Sequence, residues 1–235
     1  MTRSPSGLFI TGNDTEVGKT YVTAMIARAC SRSGCRVGVY KPAASGCRRE
    51  GSKLVCDDAL TLWEAAGRPG PLQRVCPQMF EAPLAPHLAA QQEGRRVDAG
   101  LLREGARAWF GQCELLLVEG VGGLMSPLGE DDYVATLADE LGFPLVVVAA
   151  NVLGTINLTL QTLIAAACMG QGLDVAGIVL NNLLKSGEDP SRAKNRAELQ
   201  RCAASPVLAE VAQGDERFDP AIDWLKLTGP PREQF

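Results

Sequence analysis

The feature that most constrains the fold is a repeated alternation of short apolar runs with stretches of helical periodicity. Continuous Val, Leu and Ile runs of this length are typical of strands covered on both faces. The predicted strands span residues 8–11, 36–41, 114–120, 144–151, 174–182 and 206–211. The predicted helices span about 18–33, and 57–66, 98–110, 132–141, 156–170 and 190–202. This order predicts an α/β fold with a mostly parallel central sheet, flanked by helices on both faces.

The bulk composition is that of a globular protein. The chain has 235 residues, of which 46% are apolar and 21% charged, so it can bury a sizeable core. No internal repeat or linker divides it, which predicts a single domain over residues 1–235. The stretch 67–97 is rich in Pro and Gly and has little periodicity. It is predicted to be either an irregular surface excursion or a lid over a site.

Charge, hydropathy and cysteine usage exclude several classes of protein. The formal net charge is -4 and no basic stripe is present, which argues against a nucleic-acid-binding protein. No apolar stretch reaches membrane length, and the apolar run near the N-terminus is too short for a signal peptide. The eight cysteines include no C-x-x-C pair, which favours reduced thiols in the cytoplasm. His87 is the only histidine, so neither a zinc site nor a Ser-His-Asp triad is expected.

The segment "TGNDTEVGKT" at 11–20 is close to a phosphate-binding loop, although five residues rather than four separate Gly12 from Gly18. It lies where the first strand meets the first helix, and ligands bind beyond the carboxyl ends of strands in such sheets. Backbone N–H groups and the helix N-terminus would bind phosphate oxygens there. Lys19 would contact the terminal phosphates, and the Thr20 hydroxyl would bind Mg²⁺. The alternative, a glycine turn with a solvent-exposed lysine, does not explain this position.

Charged residues at two other strand ends point to the same edge. Lys41 follows the second strand in "VGVYKPAASG", so it can reach the anionic centre that Lys19 reaches. Glu119 ends a wholly apolar strand in "ELLLVEGVGGLMSPL". A carboxylate there is costly unless it binds something, and Mg²⁺ is the expected partner. Asp57 and Asp58 begin a helix in "CDDALTL", where either could be its N-cap.

These motifs together resemble those of the dethiobiotin synthetases. That family's loop reads Gly-Thr-Asp-Thr-x-Val-Gly-Lys-Thr with the same five-residue gap, and only Asn13 departs, where Thr is common. Its Lys-Pro-Val-x-Ser/Thr-Gly motif matches at Lys41, Pro42, Ser45 and Gly46, and its Val-Glu-Gly-x-Gly-Gly motif matches fully at 118–123. A further similarity covers 81–94, which includes His87, a structural or substrate-proximal residue in this interpretation. The resemblance spans about 7–211 and implies a P-loop NTPase-like three-layer sandwich.

The resemblance also implies site residues. Catalytic roles fall on Lys41, Lys19 and Thr15. Mg²⁺ would be held by Thr20, Asp58 and Glu119, which leaves Asp57 as the helix cap. The implied nucleotide-binding residues are Glu16, Val17, Gly18, Lys19, Thr20, Tyr21, Asp58, Glu119, Gly120, Val121, Gly122, Asn181 and Asn182. The implied substrate-binding residues are Ser45, Gly154, Thr155, Ile156 and Asn157. The last four form a turn that would receive a substrate carboxylate across a homodimer interface, although an ordinary helix cap explains the same residues.

The activity implied is ATP-dependent closure of a cyclic urea from 7,8-diaminononanoate and CO₂, through a carbamic–phosphoric anhydride. The chain departs most from the family pattern in the segments that would select the nucleotide base. Asn182 stands where the family has Asp, and "VAQGDE" at 211–216 stands where the family has a Pro-x-Leu segment. Asn195 stands where some members carry an aromatic residue. Rival interpretations are a switch ATPase of the partitioning or septum-site type, an amidating ligase of the cobyrinate-diamide type, or an inactive nucleotide-binding module. Switch ATPases usually carry a lysine soon after the first loop glycine, whereas this chain has Asn13 and Asp14 there.

Overall fold

Six parallel strands form the centre of the fold. The computed structural model describes residues 4–182 and 189–232. Its strands are β1 (Ser6–Gly12), β2 (Val37–Tyr40), β3 (Arg48–Glu50), β4 (Lys53–Val55), β5 (Leu115–Gly123), β6 (Leu145–Ala150), β7 (Val175–Asn182) and β8 (Val207–Ala212). The central sheet has the order β2-β5-β1-β6-β7-β8, and every neighbouring pair in it is parallel. The predicted mostly parallel sheet is confirmed.

Helices connect these strands. They are α1 (Lys19–Arg32), α2 (Asp57–Ala65), α3 (Leu72–Val75), α4 (Pro86–Gln92), α5 (Ala99–Arg107), α6 (Val134–Leu141), α7 (Thr155–Cys168) and α8 (Arg192–Cys202). A 3₁₀ helix, Trp224–Leu227, follows near the C-terminus. Helix α1 contacts α2 and the 3₁₀ helix, whereas α7 contacts α8. No helix within 4–182 or 189–232 combines the length and the apolar character needed to cross a membrane.

Apolar side chains cover both faces of the central strands. In β6, Val146 and Val148 belong to the main core, whereas Val147 and Ala149 belong to a second apolar cluster with Ile178 of β7. Successive side chains of a strand point to opposite faces, so β6 is buried on both sides. This arrangement explains why the strands are recognisable in the sequence as continuous apolar runs.

Two local predictions need correction. The stretch 67–97 contains two short helices, α3 and α4, rather than irregular chain throughout. The hairpin of β3 and β4, which pairs Arg48 with Val55, was not expected. Residues 1–3, at the start of the segment considered for a signal peptide, lie outside the described residues.

Candidate active site at the carboxyl edge of the sheet

The loop between β1 and α1 is shaped for the close approach of an anion. Gly18, the N-cap of α1, has φ 84° and provides no side-chain cap, so the first amides of the helix are open to a ligand. Gly12 has no room for a side chain, since a Cβ there would lie 2.6 Å from the Asp14 carbonyl oxygen and 3.0 Å from Lys19 Nζ. The loop therefore depends on glycine at both ends, as its sequence predicts.

Lys19 points back into this loop. Its ammonium donates to the Asp14 carbonyl oxygen at 3.2 Å, and the residue is only 8% exposed. Desolvation by burial lowers the pKa of Lys19 to about 8, with Glu119 acting in the opposite direction. A cation held in so poorly solvated a place would be strongly stabilised by an anionic ligand.

Lys41, Glu119, Asp58 and Thr20 form a compact charged cluster. Lys41 Nζ lies 2.6 Å from Glu119 Oε1 and 2.7 Å from Asp58 Oδ2, and Thr20 Oγ1 donates to Glu119 Oε1 at 2.8 Å. Burial by itself lowers the pKa of Lys41, but Glu119 and Asp58 outweigh it and raise that pKa above its ordinary value. Lys41 therefore remains an ammonium ion at neutral pH.

The strand register explains why these residues meet. Ile10 of β1 pairs with Glu119 of β5, and Tyr40 of β2 pairs with Val118. The residues that follow β1 and β2 therefore flank the end of β5. Between these strand ends lies a cavity of about 450 Å³, lined by Thr15, Glu16, Gly18, Lys19, Thr20, Lys41, Ala44, Ser45, Asp58, Val121 and Gly122.

The oxygen donors beside this cavity suit Mg²⁺. Glu119 is completely buried, and its Oε2 has no hydrogen-bond partner among residues 4–182 and 189–232. The Thr20 hydroxyl and the Asp58 carboxylate supply further hard oxygen atoms nearby. No group of three or more His, Cys, Asp and Glu residues in the described chain could hold a metal by itself. Mg²⁺ does not need one, because it commonly binds one or two carboxylates together with water and substrate phosphates.

The expectation that Asp57 caps α2 is wrong. The N-cap is Cys56, whose sulfur accepts the Ala59 N–H at 3.4 Å. Asp57 is the first residue of α2 and pairs with Arg48 Nε at 2.8 Å. The hairpin supplies this arginine, so Asp57 has a partner that the local sequence does not reveal.

Asn181 and Asn182 end β7 but face different neighbours. Asn181 donates to the Val17 carbonyl oxygen at 3.0 Å, whereas Asn182 donates to Glu210 at 2.9 Å. Asn181 is buried, and its Oδ1 has no partner within the described residues. The Tyr21 hydroxyl lies 2.9 Å from the Ala212 carbonyl oxygen and 2.6 Å from that of Asp215 and donates to one of them, which ties α1 to the end of β8 and the segment after it. Asn181 therefore contacts the loop before α1 through its amide nitrogen, and its amide oxygen is unpaired among the described residues.

The turn before α7 lies beside the loop but outside the cavity lining. Gly154 is the N-cap of α7, with φ 94° and no side-chain cap. Thr155 donates its N–H to Val152, and Ile156 and Asn157 follow in the first turn. Leu153 and Ile164 are 83% and 63% exposed. An uncapped helix start thus adjoins the exposed Leu153, and Ile164 lies exposed further along α7.

Contacts made by three asparagines were missed by sequence reasoning. Asn13 donates to the hydroxyl oxygens of Thr155 at 3.3 Å and Thr159 at 3.1 Å. Asn195 is 3% exposed and donates to Asn151 Oδ1 at 2.8 Å, so it packs inside rather than facing a ligand. Asn13 and Asn195 both stand at positions where the chain departs from the family pattern. That departure was the only sign in the sequence that these two residues make contacts of their own. His87 lines a different cavity, with Arg95 and Asp131.

Known proteins similar to this chain fall into two groups. A family model described as an AAA domain matches residues 6–217. The ATP-dependent dethiobiotin synthetase BioD of Rhodopirellula baltica is 41% identical, over 87% of this chain and 83% of its own. The synthetase of the same name from Anaeromyxobacter dehalogenans (strain 2CP-C) is 44% identical, over 86% and 88%. That of Bacillus cereus (strain B4264) is 39% identical, over 86% and 81%.

Two solved structures share the fold at low identity. A ParA family ATPase from Chlorobium tepidum TLS has a TM-score of 0.54 at 15% identity and covers 91% of this chain and 85% of its own. The septum site-determining protein MinD of Pyrococcus horikoshii OT3, complexed with Mg-ADP, has a TM-score of 0.53 at 17% identity and covers 91% and 82%. These similarities confirm the P-loop NTPase-like sandwich and, at such identity, nothing beyond the fold.

Proposed function

Because this chain belongs to the ATP-dependent dethiobiotin synthetase family, we propose that it closes the ureido ring of dethiobiotin from 7,8-diaminononanoate and CO₂, with ATP converted to ADP and phosphate. The observation that carries this proposal is the meeting of Lys19, Lys41 and Glu119 beside one cavity. Two ammonium groups and a buried carboxylate suit a reaction in which negative charge moves between phosphate and carbamate oxygens. We also propose that residues 1–235 form one domain. We propose a cytoplasmic location, since all eight cysteines are free thiols, as a reducing compartment maintains them.

We propose that the loop between β1 and α1 binds the phosphates of ATP. The backbone from Glu16 to Thr20 and the open N-terminus of α1 would hold the phosphate oxygens. Thr20, Asp58 and Glu119 would hold Mg²⁺, which, when bound, neutralises charge on the phosphates. Gly120, Val121 and Gly122 would bring backbone close to the nucleotide, since Val121 and Gly122 line the cavity.

The reaction then divides among the chain's own residues. One amine of the substrate takes up CO₂ as a carbamate, which Thr15 and Ser45 are placed to hydrogen-bond because both line the cavity. A carbamate oxygen attacks the γ-phosphorus, and ADP leaves. The second amine attacks the carbamoyl carbon of the anhydride, the ring closes and phosphate departs. Lys19 and Lys41 stabilise the charge on the transferred phosphoryl group throughout.

Two further sites complete the proposal. Asn181, through its unpaired oxygen, would accept a hydrogen bond from the base of the nucleotide. Asn182 and Tyr21 would bind beside it, although their polar groups are already bonded to Glu210 and to the segment after β8.

The chain is proposed to work as a homodimer. The turn Gly154–Asn157 would bind the substrate's carboxylate with its amides and serve the partner subunit's site. The exposed Leu153 just before that turn and the exposed Ile164 further along α7 support this interface.

Phosphate release from Mg-ATP tests the function. We expect release to require both the diamine and bicarbonate, and to stop when EDTA removes Mg²⁺. Release that ignores the diamine would favour a switch ATPase, and binding of ATP without release would favour an inactive nucleotide-binding module.

A further inference from the structure

Asn13 makes a contact that the proposed chemistry does not need. It lies in the phosphate-binding loop, yet its side-chain amide donates to Thr155 and Thr159 of α7, 142 and 146 residues away. Both threonines are buried, at 1% and 0% exposure. The contact therefore joins the nucleotide side of the site directly to the first turns of α7.

The loop does not rely on this side chain to stay in place. The Asn13 N–H donates to the Val148 carbonyl oxygen at 3.0 Å, which anchors the loop to β6 through its backbone. The side-chain Oδ1 is buried and has no partner within residues 4–182 and 189–232. A buried oxygen without a partner is destabilising, so stability alone does not favour asparagine here. What asparagine provides at this position is the pair of hydrogen bonds from its side-chain amide to α7.

We propose that Asn13 is a positioning residue that holds the N-terminal turn of α7 in register with the phosphate-binding loop. This inference rests on the proposed function, in which the amides of that turn bind the substrate's carboxylate. Thr155 is the first residue of the turn, and Gly154 before it has no side-chain cap. The chain just before the turn is held by Asp189 and Asn195, which bond the Leu153 N–H and the Val152 carbonyl oxygen. The hydroxyls of Thr155 and Thr159 are instead bonded from the loop, by Asn13. Loss of Asn13 would let the turn shift while the phosphate-binding backbone stays in place.

Steady-state kinetics can separate this role from a structural one. We expect Thr159→Val to raise the KM for the diamine about fivefold, the ratio that one neutral hydrogen bond supports. Asn13→Ala removes both contacts with α7 and should raise it at least as much. The kcat and the KM for ATP should stay near those of the wild type. Thr159→Ser keeps the hydroxyl and is the matched control, expected to behave as wild type. The double variant Asn13→Ala/Thr159→Val should be no worse than Asn13→Ala alone, because Asn13→Ala already removes the contact that Thr159→Val removes.

Hydrogen exchange tests the same inference without any activity. In Asn13→Ala and Thr159→Val, the amides of residues 154–157 should exchange faster than in wild type and in Thr159→Ser, while the melting temperature falls by only about 2–4 °C. Unchanged exchange in that turn, or a change in the KM for ATP alone, would overturn the role of Asn13. If wild-type phosphate release ignores the diamine while exchange responds as expected, the proposed function fails and the positioning contact stands.

Discussion

The two lysines of the site have pKa values shifted in opposite directions. Lys41 is held between Glu119 and Asp58, and its pKa lies above the ordinary value. Within the part of the chain that the structure describes, Lys19 has only the Asp14 carbonyl oxygen as its hydrogen-bond partner, and burial lowers its pKa to about 8. Lys41 is thus a cation at neutral pH, whereas the charge of Lys19 would be stabilised by the phosphate that we propose it binds.

Lys41→Ala should lose most of its turnover. Loss of a cation aimed at a transferring phosphoryl group costs about 10³-fold by analogy with arginine fingers, so we expect a decrease of that order in diamine-dependent phosphate release. Lys53→Ala, which removes an exposed lysine of β4, is the matched control. Circular dichroism must show both variants folded. Turnover near the wild-type value in folded Lys41→Ala would remove Lys41 from the catalytic role.

The buried thiols Cys30 and Cys113 should be less reactive than the exposed thiol Cys168. Desolvation raises the pKa of Cys30 and of Cys113 to about 12, whereas Cys168 is exposed. A raised pKa keeps a thiol protonated at pH 8, and the thiolate is the reactive form. Mass spectrometry after brief iodoacetamide treatment at pH 8 should therefore find Cys168 modified and the other two intact. In urea all three should react, and native labelling of Cys30 at the rate of Cys168 would contradict the buried position.

At the scale of elements, the sequence predicts the strands well and the irregular parts poorly. Each central strand carries its own signal, because burial on both faces demands a continuous apolar run. The strands β3 and β4 are only three residues long and consist of Arg48–Glu50 and Lys53–Val55, so neither periodicity nor hydropathy marks them. Cys56 rather than Asp57 caps α2, and Asp57 is paired with Arg48 of the hairpin. Local patterns cannot show a partner that tertiary structure supplies.

The turn before α7 offers a test with an unusually close control. Gly154 and Gly34 have φ 94° and 87°, and a Cβ at either would meet nothing within 4 Å. Replacement by alanine should lower the free energy of unfolding by about 1 kcal/mol at each position, because only backbone strain changes. Only Gly154→Ala should also raise the KM for the diamine. Urea titration and phosphate-release kinetics measure the two effects, and an equal KM in both variants would argue against a substrate role for the turn.

At the scale of the whole molecule, the site is assembled from strand ends that are distant in sequence. Lys19, Lys41 and Glu119 could be predicted to meet, because parallel strands carry their carboxyl ends to one edge. The contact of Asn13 with Thr159 could not, since nothing in either segment specifies the other. A site shared between two subunits could not be predicted from the sequence either, because the pattern of one chain does not specify which surfaces of two chains meet. The exposed Leu153 before α7 and the exposed Ile164 on it are the remaining indication of such a site.

Disruption of that surface should separate the subunits. Ile164 is 63% exposed on α7, and a charge buried without a partner at an interface is strongly unfavourable. We expect the wild type to sediment at twice the 24.9 kDa chain mass and Ile164→Asp at the mass of one chain. Leu225→Asp, in the 3₁₀ helix that contacts α1, is the control and should remain a dimer.

Diamine-stimulated phosphate release should depend on the equilibrium between monomer and dimer. If the turn before α7 completes the partner's site, Ile164→Asp will lose diamine-stimulated phosphate release but keep its thermal stabilisation by Mg-ATP, since the nucleotide contacts come from one chain. At a nucleotide concentration 100 times the Kd, that stabilisation is about 2.7 kcal/mol. A monomeric variant with normal diamine dependence would show that each chain holds a complete site. A wild type that sediments as one chain would rule out the interface itself, and the carboxylate-binding turn would then have to serve its own subunit.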